Sequence, residues 1–351
     1  MNRYRLISAG LYKPKIISKN GGVSLLILRK SDIEKAISMD EAISAMETAF
    51  IKFSEGNTKI PLRTVINVED KGDAIFMPGY VEGLGVAVKL VSVFPGNLEI
   101  GKPTINSVIL LEDQNTGEVL ALMDGGCITA LRTGAASGLA TKYLARTDSK
   151  SVAVIGAGVQ AKTQLWAVCS VRDIQEARIF DLNDDRKKRY IEEMSEKFPY
   201  IRFAGVSNTD EAVKGADIII TATTSKKPVF SAENVSKGAH INAMGAYTPE
   251  MQELPEKVLK MADKIVVDSR EAVLKEAGDL IIPIRKGIFS EKQIYGELGE
   301  VASGIIPGRQ TDKEITLFKT VGIAAEDVAC AAKIYENALL MGLGEEIFLD
   351  N

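Results

Sequence analysis

Histidine is nearly absent from this chain of 351 residues; there is one, His240. That all but excludes a multi-histidine metal centre and leaves little from which to build a Ser-His-Asp triad. Cysteine is scarce as well. Cys127, Cys169 and Cys330 are odd in number and widely spaced. They match neither a zinc pattern nor a disulfide framework, which reads as a reducing, cytoplasmic setting. Charge of one sign is lacking too: Lys and Arg total 43 against 47 Asp and Glu, a net charge of -4. Nothing in that balance points to nucleic acid or an anionic membrane as a partner. No apolar run approaches the ~18 residues a membrane span needs.

What is present is the composition of a soluble globular protein, with 46% apolar and 26% charged residues. The length suggests two domains and a core that needs no disulfide or metal staple. Residues 1–22 are basic and unpatterned, with Lys13, Lys15 and Lys19 among Pro, Ile, Ser and Asn. They carry no long apolar core or small-residue cleavage site, so they read as a peripheral extension rather than a secretory leader.

Structure is expected from a strand over Val23–Leu28, then a helix opening at Ser31. Ser38-Met-Asp-Glu41 is a capping box for a second helix, with Ala42, Ile43, Met46, Ala49 and Phe50 at helical spacing. Strand-like runs follow at 64–68, 74–77, 86–91 and 107–111, a β-rich region. Residues 128–145, rich in Ala, Gly, Thr and Leu, read as a helix in close contact with its surroundings, with Asp124 as its cap. Beyond Ser151, strands at 152–155, 177–180, 216–221, 240–244 and 264–267 alternate with helices, including 184–197. That alternation predicts a parallel, doubly wound sheet. A helix at 323–341 is read as returning to the first domain.

Gly156-Ala-Gly-Val-Gln-Ala161 follows the 152–155 strand and opens a helix, the context G-x-G-x-x-G/A requires. Gly156 permits the tight turn and Gly158 a close backbone approach to a pyrophosphate, which would lie at the helix N-terminus near Val159 and Gln160. Asp181 ends the next strand, 25 positions after Gly156. An acid there accepts hydrogen bonds from ribose hydroxyls and repels a 2′-phosphate, favouring NAD over NADP. The competing reading is a helix N-cap, and nearby Arg186 would soften the preference.

Met123-Asp-Gly-Gly-Cys-Ile-Thr-Ala-Leu-Arg-Thr133, Val154-Ile-Gly-Ala-Gly-Val-Gln-Ala161, Gly238-Ala-His-Ile-Asn-Ala-Met-Gly245, Glu297-Leu-Gly-Glu300 and Thr316-Leu-Phe-Lys-Thr-Val-Gly322 make the sequence resemble the ornithine cyclodeaminase/mu-crystallin family. The resemblance runs from about Leu25 to the C-terminus. It implies an α/β protein: a Rossmann-type NAD-binding domain at 131–322, and a β-rich α+β substrate and dimerisation domain made of 23–130 with 323–351. It implies a homodimer. It further implies hydride exchange at the α-carbon of a small α-imino or α-amino acid.

By the same resemblance, Arg63, Lys89, Thr104 and Arg132 hold the substrate carboxylate. Two of these have independent support. Lys89 interrupts an apolar strand and Arg132 sits among small apolar residues, and a charge so placed is costly unless paired or liganded. The alternatives are an outward-facing lysine and a structural ion pair. Lys89 is also a candidate proton donor or imine polariser. Thr221, Thr223, Asn242, Met244, Gly245 and Val321 are expected to line the nicotinamide pocket, with Phe318 and Gly322 closing it.

One departure matters. Tyr247 stands where cyclodeaminases and the alanine dehydrogenases of the family carry an aspartate, and Ile75 or Phe76 stands at a second acidic position of the cyclodeaminases. Tyr247 is therefore the catalytic candidate at that place, although a phenol is a poor base at neutral pH. Glu250 and Glu253 read as exposed, and His240 as structural. The favoured function is a ketimine or pyrroline-2-carboxylate reductase using NAD, with NADP second. An ornithine cyclodeaminase, an alanine dehydrogenase and a mu-crystallin-like binding protein are the alternatives.

Overall fold

The computed structural model describes residues 24–349. The 1–22 extension and Val23 lie outside them. The chain opens with β1 (Ser24–Leu28), α1 (Lys30–Ala36) and α2 (Met39–Ser54). Ser38 caps α2 reciprocally with Glu41, and the helix buries the apolar face its spacing predicts. Six strands follow: β2 (Thr58–Lys59), β3 (Thr64–Val68), β4 (Gly72–Val81), β5 (Gly85–Val93), β6 (Ile105–Glu112) and β7 (Val119–Asp124).

Next comes α3 (Gly125–Leu144), capped by the Asp124 carboxylate, which accepts from the Cys127 N–H at 2.7 Å. Helix α3 is built mostly of small or apolar residues and is buried on almost every side. A Cβ on Gly134 would lie 2.5 Å from the Thr163 carbonyl oxygen, and one on Gly138 2.9 Å from the Ala167 Cβ. Glycine at these two places lets α3 lie directly against α4 (Val159–Val171).

From Ser151 strands and helices alternate as expected, with further strands at Arg202–Gly205, Gly296–Glu297 and Thr316–Lys319 that were not among those expected. The order runs β8 (Ser151–Ile155), α4, β9 (Glu176–Phe180), α5 (Asp184–Lys197), β10 (Arg202–Gly205), α6 (Thr209–Val213), β11 (Ile218–Thr221) and β12 (His240–Ala243). Then come α7 (Glu256–Met261), β13 (Lys264–Val267), α8 (Arg270–Glu276), α9 (Gly278–Arg285), β14 (Gly296–Glu297), α10 (Leu298–Ala302) and β15 (Thr316–Lys319). The chain closes with α11 (Ala324–Met341) and β16 (Glu345–Phe348).

These strands make two sheets. The first has the order β16-β1-β7-β6-β5-β4-β2, with β3 pairing β4, and is antiparallel except between β1 and β7. Helices α2, α3 and α11 pack against it around one core. The second, β10-β9-β8-β11-β12-β15-β13-β14, is parallel throughout. Its central strands are buried along their whole length, covered on both faces as parallel sheets require, although β12 carries His240 and Asn242 and β15 carries Thr316 and Lys319. The strand order reverses beside β8. That reversal opens a crevice at the carboxyl ends of β8 and β11, the place where doubly wound sheets bind ligands.

Candidate active site

The phosphate-loop geometry starts at Gly156, which has φ of 93°. A Cβ there would lie 2.6 Å from the Ala222 carbonyl oxygen, so the turn after β8 is pressed onto the turn after β11. Gly158 caps α4 and has open space where a side chain would stand. Val159 is exposed, and the Gln160 Oε1 is buried without a partner among the described residues. Free backbone, an open approach and a helix N-terminus fit a dinucleotide pyrophosphate.

Asp181 is buried and ties this loop. One oxygen accepts from the Ala157 N–H at 2.7 Å and the other from the Asn183 N–H at 2.8 Å. The N-cap of α5 is Asn183, so the capping alternative for Asp181 does not hold. The Arg186 guanidinium stands 3.7 Å from Asp181.

The second region lies between the two sheets. Lys89 does not face outward. It is 3% exposed and its Nζ reaches Asp327 Oδ2 at 2.7 Å. The strand alternation turns Lys89 to the face that α11 covers. Arg132 is buried opposite. Its NH1 donates to Glu326 Oε2 at 3.0 Å, and its Nε stands 3.2 Å from Asp327 Oδ1 without hydrogen-bond alignment. Two cations thus meet two adjacent acids in the first turn of α11, where the helix dipole favours negative charge. Burial pulls the Lys89 pKa below its ordinary value, against the pull of Asp327. Burial also opposes the charge on Arg132, but Glu326 and Asp327 outweigh it and hold the guanidinium ionised.

Gly322 touches this cluster. Its φ is 84°, and a Cβ on it would fall 2.4 Å from Arg132 NH1. Its N–H and that of Val321 donate to Asp268, as does the Thr320 hydroxyl. Arg63 reaches the same turn from the first sheet. Its NH2 donates to the Gly322 carbonyl at 3.3 Å and lies 2.7 Å from Glu276 Oε2. Arg63, Glu276, Gly322, Ser269 and Met77 line a cavity of about 60 Å³. Met77 is the cross-strand neighbour of Lys89, and Gly322 packs on Arg132, so the cavity lies next to the buried cations, although neither of them lines it. Burial raises the Glu276 carboxyl above its ordinary range, with Arg63 opposing.

Arg63, Lys89, Arg132 and the Val321-Gly322 turn therefore come together. Thr104 does not join them by any side-chain bond; its carbonyl receives the Phe94 N–H on the loop before β6. Tyr247 is 41% exposed on the turn after β12 and has no hydrogen bond to another described residue. Asn242 does not offer its side chain to a pocket. Its amide donates to Thr141 at 2.9 Å and its oxygen faces His240 at 3.2 Å, both inside the contact between β12 and α3. The period of two turns Asn242 inward with His240. His240 is fully buried. Burial, then Arg309, lowers its pKa to about 3, so it is neutral and structural.

Thr221, Thr223 and Gly245 gather on a residue expected to be exposed. Glu253 is fully buried and accepts from all three. The backbone around it is fastened to Asp279. Met244 is buried beside it, its N–H donating to the Thr221 carbonyl. Glu326, Asp327 and Asp268 were not singled out from the sequence. The signal existed: adjacent acids in an alanine-rich helix, and an acid ending the apolar strand Ile265-Val-Val-Asp268. Among the described residues no group of acids, cysteines and histidine could hold a metal ion, and no helix is long and apolar enough to cross a membrane.

Residues 24–341 match the Ornithine cyclodeaminase/mu-crystallin family. The chain belongs to that family. Among its relatives, a Delta(1)-pyrroline-2-carboxylate reductase of Bacillus cereus is 42% identical over 325 residues, covering 92% of this chain and 99% of the relative. The structure of Thermococcus litoralis Delta(1)-pyrroline-2-carboxylate reductase, in complex with NADH and L-proline, superposes with a TM-score of 0.88 at 47% identity. It covers 92% of this chain and 100% of that one. An archaeal alanine dehydrogenase dimer with bound NAD gives a TM-score of 0.87 at 39% identity, covering 93% and 100%.

Proposed function

We propose that the protein is an NADH-dependent reductase of a small cyclic α-imino acid of the pyrroline-2-carboxylate type. The observation that carries this reading is that Arg63 and Arg132 meet at the Gly322 turn, with Lys89 held beside Arg132 through their shared partner Asp327, at the carboxyl edge of a parallel sheet with a dinucleotide fingerprint. The bacterial and archaeal relatives named as pyrroline-2-carboxylate reductases support it.

Arg132 and Arg63 orient the substrate carboxylate, since a guanidinium fork matches its two oxygens. Lys89, held by Asp327, presents an N–H toward the imine nitrogen and is the proton donor. Bound NADH supplies the hydride that the α-carbon receives. One hydride and one proton convert the imine to the amine, and no second carboxylate is needed. That agrees with Tyr247, and Ile75 or Phe76, standing at the two acidic positions of the cyclodeaminases. We take Thr221, Thr223, Met244, Gly245 and Val321 as the lining of the nicotinamide end, with Asp181 favouring NAD over NADP. Homodimerisation is part of the same reading, as is the division into 23–130 with 323–351 and 131–322.

The test is NADH oxidation with pyrroline-2-carboxylate, run beside pyruvate with ammonia and beside ornithine with NAD. Turnover of the cyclic imine alone is the expected result. Turnover of pyruvate and ammonia at an equal rate would make the protein an alanine dehydrogenase. Release of ammonia and proline from ornithine would make it a cyclodeaminase.

A further inference from the structure

We propose that Glu253 is a positioning residue for the dinucleotide: its carboxylate locks the turns after β11 and β12 together and so shapes the floor against which the cofactor lies. The inference rests on the reading that this sheet edge holds a nicotinamide dinucleotide. It goes beyond the substrate clamp, which Glu253 does not touch.

Oε1 of Glu253 accepts from the Thr223 N–H at 2.6 Å and the Thr223 hydroxyl at 2.8 Å. Oε2 accepts from the Thr221 hydroxyl at 2.9 Å and the Gly245 N–H at 2.7 Å. An ionised carboxylate offers about four acceptor sites, and here all are filled. Glu253 therefore has nothing left for substrate and no free path for a proton. It acts through the groups it holds.

Those groups belong to two turns at the edge of the crevice. The turn at Ala222 and Thr223 bears on the phosphate loop, because Gly156 has no room for a Cβ beside the Ala222 carbonyl. Gly245 is equally constrained, since a Cβ there would lie 2.2 Å from the Thr223 carbonyl oxygen and 2.5 Å from Glu253 Oε1. A single carboxylate thus sets the spacing of the phosphate loop, the β11 turn and the β12 turn.

The backbone of Glu253 is itself fixed from behind. Asp279 Oδ1 accepts the Glu253 N–H at 2.7 Å and the Leu254 N–H at 2.8 Å, while Asp279 Oδ2 takes Lys319 Nζ at 3.0 Å. All three charged side chains are fully buried, two acids against one lysine. Burying them costs more than apolar packing of the same volume would. The arrangement holds backbone in place rather than adding stability.

An amide at this position brings two hydrogens where two acceptors stood. One of the two backbone N–H groups, of Thr223 or of Gly245, must then face a donor and move. The experiment is titration calorimetry of NADH into wild type, Glu253→Gln and Glu253→Asp, with thermal melting of each. We expect Glu253→Gln to weaken NADH binding by about ten-fold or more with stoichiometry unchanged, because small misplacements are felt strongly at preorganised sites. At saturating NADH its KM for the imino acid should stay within about two-fold of wild type. Glu253→Asp keeps the charge but is a methylene short, so its loss should be intermediate; it decides by the same readouts if the amide variant does not fold.

Unchanged affinity with reduced stoichiometry or a lower melting temperature would mean a merely structural carboxylate and would overturn the proposal. Wild type that binds NADH yet reduces no imino acid would sink the proposed function and leave this inference standing. Wild type that fails to bind NADH would sink both.

Discussion

Lys89 and Asp327 form a buried pair that serves two ends, and substitutions can separate them. Lys89→Met removes the donor and leaves Asp327 beside Arg132 alone. Turnover should fall by about 100-fold or more, the usual scale for loss of a general acid. Asp327→Asn leaves the Lys89 amine but strips its counterion; breaking one side of a buried pair costs about 3–5 kcal/mol. Its melting temperature should therefore drop, and urea midpoints of the two variants will show which loss dominates. A Lys89→Met enzyme with unchanged kcat would remove Lys89 from the chemistry.

Asp181 gives a second test at this scale. Asp181→Ser relieves repulsion of a 2′-phosphate and leaves Arg186 free to meet one, so the NADPH to NADH ratio of kcat/KM should rise by about ten-fold or more. An unmoved ratio would show that Asp181 serves only the Ala157 and Asn183 N–H groups. The buried cations were legible because Lys89 and Arg132 break apolar runs. Their acids were not. Glu326 and Asp327 look like ordinary first-turn acids until α11 is seen to be buried, and Glu253 looks like loop until Asp279 is seen to hold it.

Among the elements, α3 is the one whose composition states its task most directly. In an open helix, Gly→Ala stabilises by about 1 kcal/mol. At Gly134 the sign should reverse, because the new Cβ would press on the Thr163 backbone at 2.5 Å. Overpacking of that kind costs about 1–3 kcal/mol. Gly126, in the exposed first turn with only the Asp124 Oδ1 at 3.4 Å, is the control and should tolerate alanine. Thermal melts of the two variants test the contrast.

Strand β12 carries a pH dependence. His240 is neutral in the fold, with a pKa of about 3 against 6.5 for the free side chain. The unfolded chain therefore binds the proton first. The stabilising contribution is whole above the ordinary value and is lost as pH falls toward 3, by about 1.4 kcal/mol per unit. With one histidine in the chain, the interval between pH 6.5 and 5 isolates this effect from most carboxylates. Urea midpoints for His240→Gln should fall less steeply there than those of wild type, and parallel curves would contradict the linkage. The alternation of strands and helices after Ser151 was legible from apolar runs. Strands β2, β10, β14, β15 and β16 were not: β2 and β14 have two residues each, β16 is exposed, and β15 holds the buried Lys319; β7 was passed over although Val119-Leu-Ala-Leu-Met123 is an apolar run.

At the scale of the whole molecule, the first sheet leaves apolar surface uncovered. Its register places Thr64, Phe76, Leu90 and Val108 in one row across β3, β4, β5 and β6. Ile66 lies two residues along on the same face. Lys89, Met77 and Ile109 point the other way, into the core beneath α11. Ile66 is more than half exposed, and Leu90 and Val108 are exposed on the same face; Val65 and Ile105, by the same register, point to the other face. Exposed apolar patches of more than a few hundred Å² are unusual on monomers, and a stable dimer buries about 1,600 Å² in total. In the homodimer proposed above, a second copy of the chain would cover this face, which includes the strand that carries Lys89. Ile66→Glu combined with Val108→Glu should therefore convert a dimer to a monomer in sedimentation velocity. The monomer should still bind NADH, because the parallel sheet is untouched, while its KM for the imino acid rises. A double variant that stays dimeric would place the interface elsewhere, and a monomeric wild type would leave this face without the partner argued for it.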